Sequence, residues 1–417
     1  MQLKRVVVTG LGAVTPLGNS VDVFWNNLIN GVSGADFIKR FDASKFKTRF
    51  ACEVKGFNPE QYFDKKEARK LDAFTWYGIA SSIEAVADSG LEQASVDKNE
   101  IGVIWGSGIG GLDTFQNEAF NFAKGDGTPR FNPFFIPKMI SDICCGHISM
   151  RFGFRGPNFT TVSACASSTH AIIDAFNYIR LGKAHAIVTG GSEAAINECG
   201  MGGFNACQAM STRNEAPQAA SRPYDKNRDG FVLGEGSGAL VLEELEHALK
   251  RGAKIYAEVI GGGMSADAHH ITAPHPEGLG AKLVMERALK DAEINPTEVD
   301  YINTHGTSTP LGDTAELKAI VQIFGEQAYR MNISSTKSMT GHLLGAAGSV
   351  EAIATILAIR EGKIPPTINH ETPDPDIDPK LNLTLNTAQS RKVQIAISNT
   401  FGFGGHNAAV VLKAYSG

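Results

Sequence analysis

Membrane-length apolar runs are missing from this chain of 417 residues. The longest, AIATILAI (352–359), is closed by Arg360 and Glu361, well short of the roughly 18 residues a spanning helix needs. The opening MQLKRVVVTGLG runs from basic residues straight into a strand-like stretch, with neither an apolar signal region nor a small-residue cleavage site, so a cytoplasmic protein is expected. Cysteine is sparse: Cys52, Cys144, Cys145, Cys165, Cys199 and Cys207 form no CxxC pair, which excludes a disulfide scaffold and a zinc ribbon. Charge of one sign is also lacking. With 39 basic against 44 acidic residues the net charge is −5, so there is no global field for nucleic acid or anionic membrane, and an acidic partner needs a local basic patch. No GxSxG elbow and no Walker A loop occurs.

Glycine, by contrast, is abundant: 45 residues, about 11% against a usual 7%, while the 17 prolines are ordinary. Tight loops lining a site account for such an excess. Short β-rich runs (RVVVTG, IGVIWG, AHAIVTGG, GALVLEE, KIYAEVIGG, DYINTHG, QIAISNT, NAAVVLKA) alternate with helical patterns, which predicts an α/β fold with buried strands. QIAISNT with NAAVVLKA, and GALVLEE with KIYAEVIGG, are joined closely enough to predict antiparallel neighbours in mixed sheets. STRNEAPQAASRPYDKNRDG (211–230) reads as a long surface loop.

The chain also repeats itself weakly. An offset of 180 residues lays CASSTHAIIDAFNYIRLGK (165–183) on GAAGSVEAIATILAIREGK (345–363), matching Ala166 with Ala346, Ile173 with Ile353, Ile179 with Ile359 and Arg180 with Arg360. Two similar core helices in two similar halves, 1–250 and 251–417, are the simplest account, although shared helix grammar could give the same match.

Three residues stand out chemically. Cys165 lies where a β-branched strand gives way to small residues and then a helix, and the positive end of that helix is expected to lower the thiol's pKa as a nucleophile requires. His305 (DYINTHGTSTPLGD) and His342 (STKSMTGHLLGAAGS) both occupy glycine- and hydroxyl-rich turns at strand ends. Two neutral imidazoles can donate to one carbonyl oxygen and stabilise an enolate beside a thioester, which suits carbon–carbon bond formation better than hydrolysis. Lys337 is either a surface lysine or the cation that keeps an adjacent imidazole neutral. In NTFGFGGHNAA (399–409), glycines flank Phe403 and free its N–H to meet an oxyanion; a plain glycine-rich hairpin is the alternative. Two weaker signals compete. Gly106–Gly111 satisfies GxGxxG after a strand but lacks the acidic residue a dinucleotide site needs further on. Asp267, His269, His270 and His275 resemble a metal cluster without a helical ligand register.

Taken together, VSACASSTHA, NTHGTSTPLGD, KSMTGHLLGAAG and NTFGFGGHNA resemble the β-ketoacyl-acyl carrier protein synthases, and VVVTGLGAVTPLGNS, SRPYDKNRDGFVLGEGSGALVLEE and SADAHHITAPHPEG agree over essentially the whole chain. The resemblance implies a thiolase-like fold of two duplicated α/β halves in helix and sheet layers, dimerised through the N-terminal half. It implies decarboxylative condensation of an acyl-enzyme thioester with malonyl-acyl carrier protein in fatty acid elongation. Cys165 then carries the acyl chain, His305 and His342 act on the malonyl thioester, and the N–H groups of Cys165 and Phe403 form an oxyanion hole. Thr307, Thr309, Thr272 and Phe401 match positions contacting the substrate or its phosphopantetheine arm, and Ile109 and Phe204 match the acyl pocket. Lys65, Lys66, Arg69, Lys70 and Arg130 would face the acidic carrier protein, with Gln208 where an arginine is expected. No resident cofactor is implied beyond a structural Na⁺ or K⁺ at Asn303, Glu351, Ser398 and Asn399. A noncatalytic partner subunit of the same fold would lack the nucleophile, and a chain-initiating synthase would have Asn in place of one histidine.

Overall fold

The computed structural model describes residues 3–417. Ten strands form one continuous hydrogen-bonded sheet: β1 Val6–Val14, β2 Ile101–Gly106, β3 Asn158–Thr161, β4 Ala186–Glu193, β5 Gly236–Glu244, β6 Ala257–Ala266, β7 Tyr301–Asn303, β8 Asn332–Ser334, β9 Ile395–Gly402 and β10 His406–Lys413. Their order is β8-β7-β9-β10-β6-β1-β5-β4-β2-β3. Counted outward from the centre, β1-β5-β4-β2-β3 and β6-β10-β9-β7-β8 have the same chain order and the same sequence of antiparallel and parallel pairings. Within the sheet the two halves are joined along three residue pairs, Val6–Val259, Val7–Glu258 and Val8–Ala257. Duplication therefore extends from the helices the sequence repeat revealed to the whole topology.

The two repeated helices, Ser167–Arg180 and Ala347–Glu361, lie together between the halves. The second is buried on every side until its last turn, as a sequence of apolar and small residues broken before that turn only by Glu351 requires. Each follows a single 3₁₀ turn, Ala164–Ala166 or Leu344–Ala346. Each turn opens on a non-glycine residue in the left-handed region, Ala164 at φ 51° and Leu344 at φ 48°. Strain of roughly 1–3 kcal/mol at such residues persists where surrounding structure fixes them, and here it sits at equivalent places in the two halves.

The helices touch where side chains vanish. A methyl on Gly348 would lie 1.9 Å from Thr169 Oγ1, which is itself bonded to Thr400 Oγ1, and 3.1 Å from the Thr169 nitrogen. Gly348→Ala should lower stability by about 1 kcal/mol or more: overpacking costs of 1–3 kcal/mol outweigh the roughly 1 kcal/mol that alanine gains in helix propensity. Urea unfolding checks this, and an unchanged midpoint would show that the crossing has room to spare.

Two sequence readings need correction. GALVLEE and KIYAEVIGG are not antiparallel neighbours: β1 lies between them and is antiparallel to both, so they run parallel to each other. The link between them is not a turn but the helix Leu245–Lys250, whose Leu245 and Ala248 pack on Val7. Nor is 211–230 a surface loop throughout. Its second half is buried because its charges find partners, Arg228 with Asp313 and Asp374 and Arg222 with Asp225. The backbone N–H of Arg222 donates to Ser308 Oγ and that of Tyr224 to Asp313, so this segment underpins the loop bearing His305.

Candidate active site

Cys165 sits in the strained turn at the start of the first central helix and is 7% exposed. His342 follows β8 and the short helix Lys337–Thr340, and its backbone is fixed on both sides: its N–H donates to Val232 O at 2.7 Å and its carbonyl accepts from Gly234 N–H at 2.9 Å. This holds Nε2 of His342 2.9 Å from the Cys165 sulfur. His305, beyond β7, lies edge-on to His342 with ring centroids 5.2 Å apart, and Phe401 packs on its other side at 5.6 Å. All three line one cavity of about 320 Å³, together with Phe204, Thr272, Thr307, Thr309, Phe401 and Phe403. Thr307 and Thr309 face each other, their hydroxyl oxygens 3.0 Å apart.

Both imidazoles are neutral at physiological pH. Burial lowers each pKa well below the ordinary histidine value, and Lys337 lowers it further. Lys337 is no surface lysine: it is 1% exposed and ion-paired with buried Glu351. Nδ1 of both histidines is buried without a partner. An orphaned buried N–H is rarer than an under-used acceptor, so hydrogen-bond accounting places each ring proton on Nε2, making that atom a donor.

The thiol departs from expectation. Burial pushes Cys165 up to about 12, against the opposing pull of Lys337 and of the Phe403 and Cys165 backbone N–H groups. Desolvation of the buried thiol exceeds what a helix N-terminus supplies. A small untargeted reagent such as iodoacetamide should therefore label exposed Cys199 and Cys207 ahead of Cys165 near neutral pH. Peptide mapping after brief treatment decides the order, and Cys165 reacting first would mean that the resting thiol is ionised.

Glu316 was not singled out from the sequence. Its carboxylate accepts the backbone N–H groups of His305 and Gly306, each at 2.9 Å, and the Asn399 amide at 3.2 Å, so it shapes the histidine loop. The only hint was an acid inside the apolar helix Pro310–Phe324. Phe231, edge-on to His342 at 5.4 Å, was missed too and carries no signal beyond being aromatic.

Ile109 lies outside the cavity of the single chain, 37% exposed. Lys65, Lys66, Arg69 and Arg130 are exposed, and Lys70 lies over the Phe134 ring at 5.2 Å, which puts one basic surface beside the 126–135 segment. Gln208 lines the cavity itself. Asn303 Oδ1, Glu351 Oε2, Ser398 Oγ and Asn399 Oδ1 are all buried without partners; four orphaned oxygens on adjoining segments fit a hard monovalent cation. The GxGxxG loop has no amides left for a pyrophosphate, because the Glu193 carboxylate already takes those of Gly108, Ile109 and Gly110. Among the described residues no His, Cys, Asp or Glu group has metal-binding geometry, which sets aside the 267–275 cluster. His270 instead accepts from the N–H groups of its own loop at Thr272 and Ala273.

Matched α/β halves with a cysteine and two histidines at their seam define a condensing enzyme of the thiolase-like class. Residues 3–248 match the family model for the beta-ketoacyl synthase N-terminal domain and 256–371 that for the C-terminal domain. A 3-oxoacyl-[acyl-carrier-protein] synthase 2 of Synechocystis sp. is 49% identical over 415 residues, covering 100% of this chain and 99% of its own. That of Vibrio harveyi is 50% identical, covering 99% of each. Among solved structures, the ishigamide ketosynthase/chain length factor superposes with a TM-score of 0.92 at 34% identity over 99% of this chain and 100% of its own. A type II PKS acyl-carrier protein in complex with its ketosynthase bound to the hexaketide gives 0.90 at 33% identity, over 100% of each chain. The chain belongs to the β-ketoacyl synthase family.

Proposed function

We infer that Cys165, His305 and His342 carry out the condensation of fatty acid elongation, the reaction this family membership assigns to the chain. The supporting observation is the placement of two neutral imidazoles in one cavity with a buried thiol, one of them 2.9 Å from the sulfur. In the first half-reaction the Cys165 sulfur attacks an acyl-carrier protein thioester. The acyl–sulfur bond to the carrier breaks, and the thiol proton passes to the departing pantetheine thiolate, so no net charge enters the pocket and a high resting pKa is tolerated. In the second, malonyl-carrier protein loses carbon dioxide while Nε2–H of His305 and His342 hold the enolate oxygen. The carbanion attacks the acyl carbonyl, whose oxyanion meets the N–H groups of Cys165 and Phe403. The carbon–sulfur bond then breaks to release 3-oxoacyl-carrier protein, and the thiolate regains a proton.

Thr307 and Thr309 suit the pantetheine amides, Phe204 the acyl chain, and the Lys65–Lys70 surface with Arg130 an acidic carrier protein. Asn303, Glu351, Ser398 and Asn399 would hold Na⁺ or K⁺, whose charge would compensate their unpaired oxygens; the reaction itself needs no resident cofactor. The edge strand β3, with Val162 and Met150 61% and 68% exposed beside it, suits antiparallel pairing with a second copy, and light scattering at twice the chain's mass checks the dimer. Six unpaired cysteines suit a reducing cytoplasm, and no described helix is long and apolar enough to cross a membrane. The reading as a whole is tested by incubating the protein with acyl- and malonyl-carrier protein: 3-oxoacyl-carrier protein and carbon dioxide should appear one for one. Free fatty acid as the product would point to hydrolysis instead.

A further inference from the structure

Glu193 ends β4, fully buried and without a basic partner among the described residues. Its carboxylate accepts backbone N–H groups from both halves: Gly108 at 2.8 Å, Ile109 at 3.1 Å and Gly110 at 3.3 Å from the loop after β2, and Gly345 at 3.0 Å from the turn before the second central helix. Ser107 Oγ lies 3.5 Å away. A methyl on Gly108 would meet Glu193 Oε2 at 2.8 Å and Ala164 O at 3.3 Å, so the loop runs directly against the turn that presents Cys165.

The neighbouring catalytic residues have anchors of their own besides this clasp. His342 is fixed by Val232 and Gly234, and the cysteine turn by Ser167, which accepts from Ser163 N–H at 2.9 Å and donates to Ala164 O at 2.7 Å. Only the 108–110 loop has all its amides committed to Glu193. We propose that Glu193 is a positioning residue for acyl loading: by gathering those amides it holds the 108–110 loop against the turn that presents the Cys165 sulfur to the incoming thioester, leaving malonyl decarboxylation to His305 and His342. Ionised, the carboxylate has two oxygens to share among four N–H groups. An amide at the same position offers one oxygen and turns its own N–H₂ toward the remaining donors.

The inference rests on the assignment of Cys165 as acyl carrier, and the experiment keeps the two apart. Acyl loading of Cys165 from short- and long-chain acyl-carrier protein is followed by intact-protein mass, and carbon dioxide release from malonyl-carrier protein is followed separately, in the full-length protein. Wild type doing neither would overturn the assignment itself. If wild type does both, Glu193→Gln should load roughly 10- to 100-fold more slowly, the scale of an ångström's misplacement, with decarboxylation within about twofold. Gly108→Ala pushes the loop off the carboxylate without changing charge and should give the same split, which keeps the test decisive if Glu193→Gln does not fold. Loading and decarboxylation falling together, or loading unchanged in the variants that fold, would overturn the positioning role.

Discussion

Replacing Cys165 with glutamine is expected to abolish condensation, by on the order of 10⁴ or more as for loss of a catalytic nucleophile, while decarboxylation of malonyl-carrier protein continues or accelerates. The sulfur makes and breaks the acyl bond, and a glutamine amide, being no nucleophile, cannot load. Decarboxylation draws on other atoms: the donors at Nε2 of His305 and His342 belong to a different half of the chain and are held there by Glu316, Val232 and Gly234. A glutamine amide presents a carbonyl near where the acyl thioester would stand, so it imitates the loaded state. Cys165 is a buried thiol that burial pushes up to about 12, so its loss leaves no buried charge behind. The fold should therefore survive, and cooperative thermal unfolding of the variant at a temperature near that of wild type checks it.

The complementary expectation is that His305→Ala and His342→Ala each depress decarboxylation by about 10²–10³, the cost of removing one preorganised donor to an oxyanion. Both rings are neutral because burial and Lys337 oppose protonation. Their folded-state pKa values lie below the ordinary value, so the neutral donors persist as pH falls through 6.5, and the decarboxylation rate should show no histidine-like acid limb there. The two variants need not be equal. His342 also contacts the sulfur, so its loss should slow acyl loading as well, whereas His305→Ala should spare loading. Both rates in both variants, measured with the same malonyl- and acyl-carrier proteins, decide this.

Much of this architecture was legible because it rests on local rules. All eight quoted β-rich runs contribute to strands, and the turn at Cys165 was visible as β-branched residues yielding to small ones. The 180-residue repeat pointed to the paired helices, and the structure adds that Ala164 and Leu344 share a strained conformation that no sequence pattern announces. What escaped was non-local. Where β1 would insert depends on pairings hundreds of residues apart, so the close spacing of GALVLEE and KIYAEVIGG was misleading. The burial of Tyr224 and Arg228 depends on acids supplied by the other half. The cysteine's pKa is set by how completely the pocket excludes water, and a helix start alone says nothing of that. Glu193 and Glu316 act through backbone amides brought to them by the fold, so their roles have no signature in residue type or spacing.

The account's central claim is that enolate formation and acyl transfer are performed by separable groups. Carbon dioxide release from radiolabelled malonyl-carrier protein, measured side by side in wild type, Cys165→Gln, His305→Ala and His342→Ala, tests it most directly. Release should persist at or above the wild-type rate in Cys165→Gln and fall by about two to three orders of magnitude in each histidine variant. Release abolished in Cys165→Gln, or left intact in both histidine variants, would contradict the mechanism.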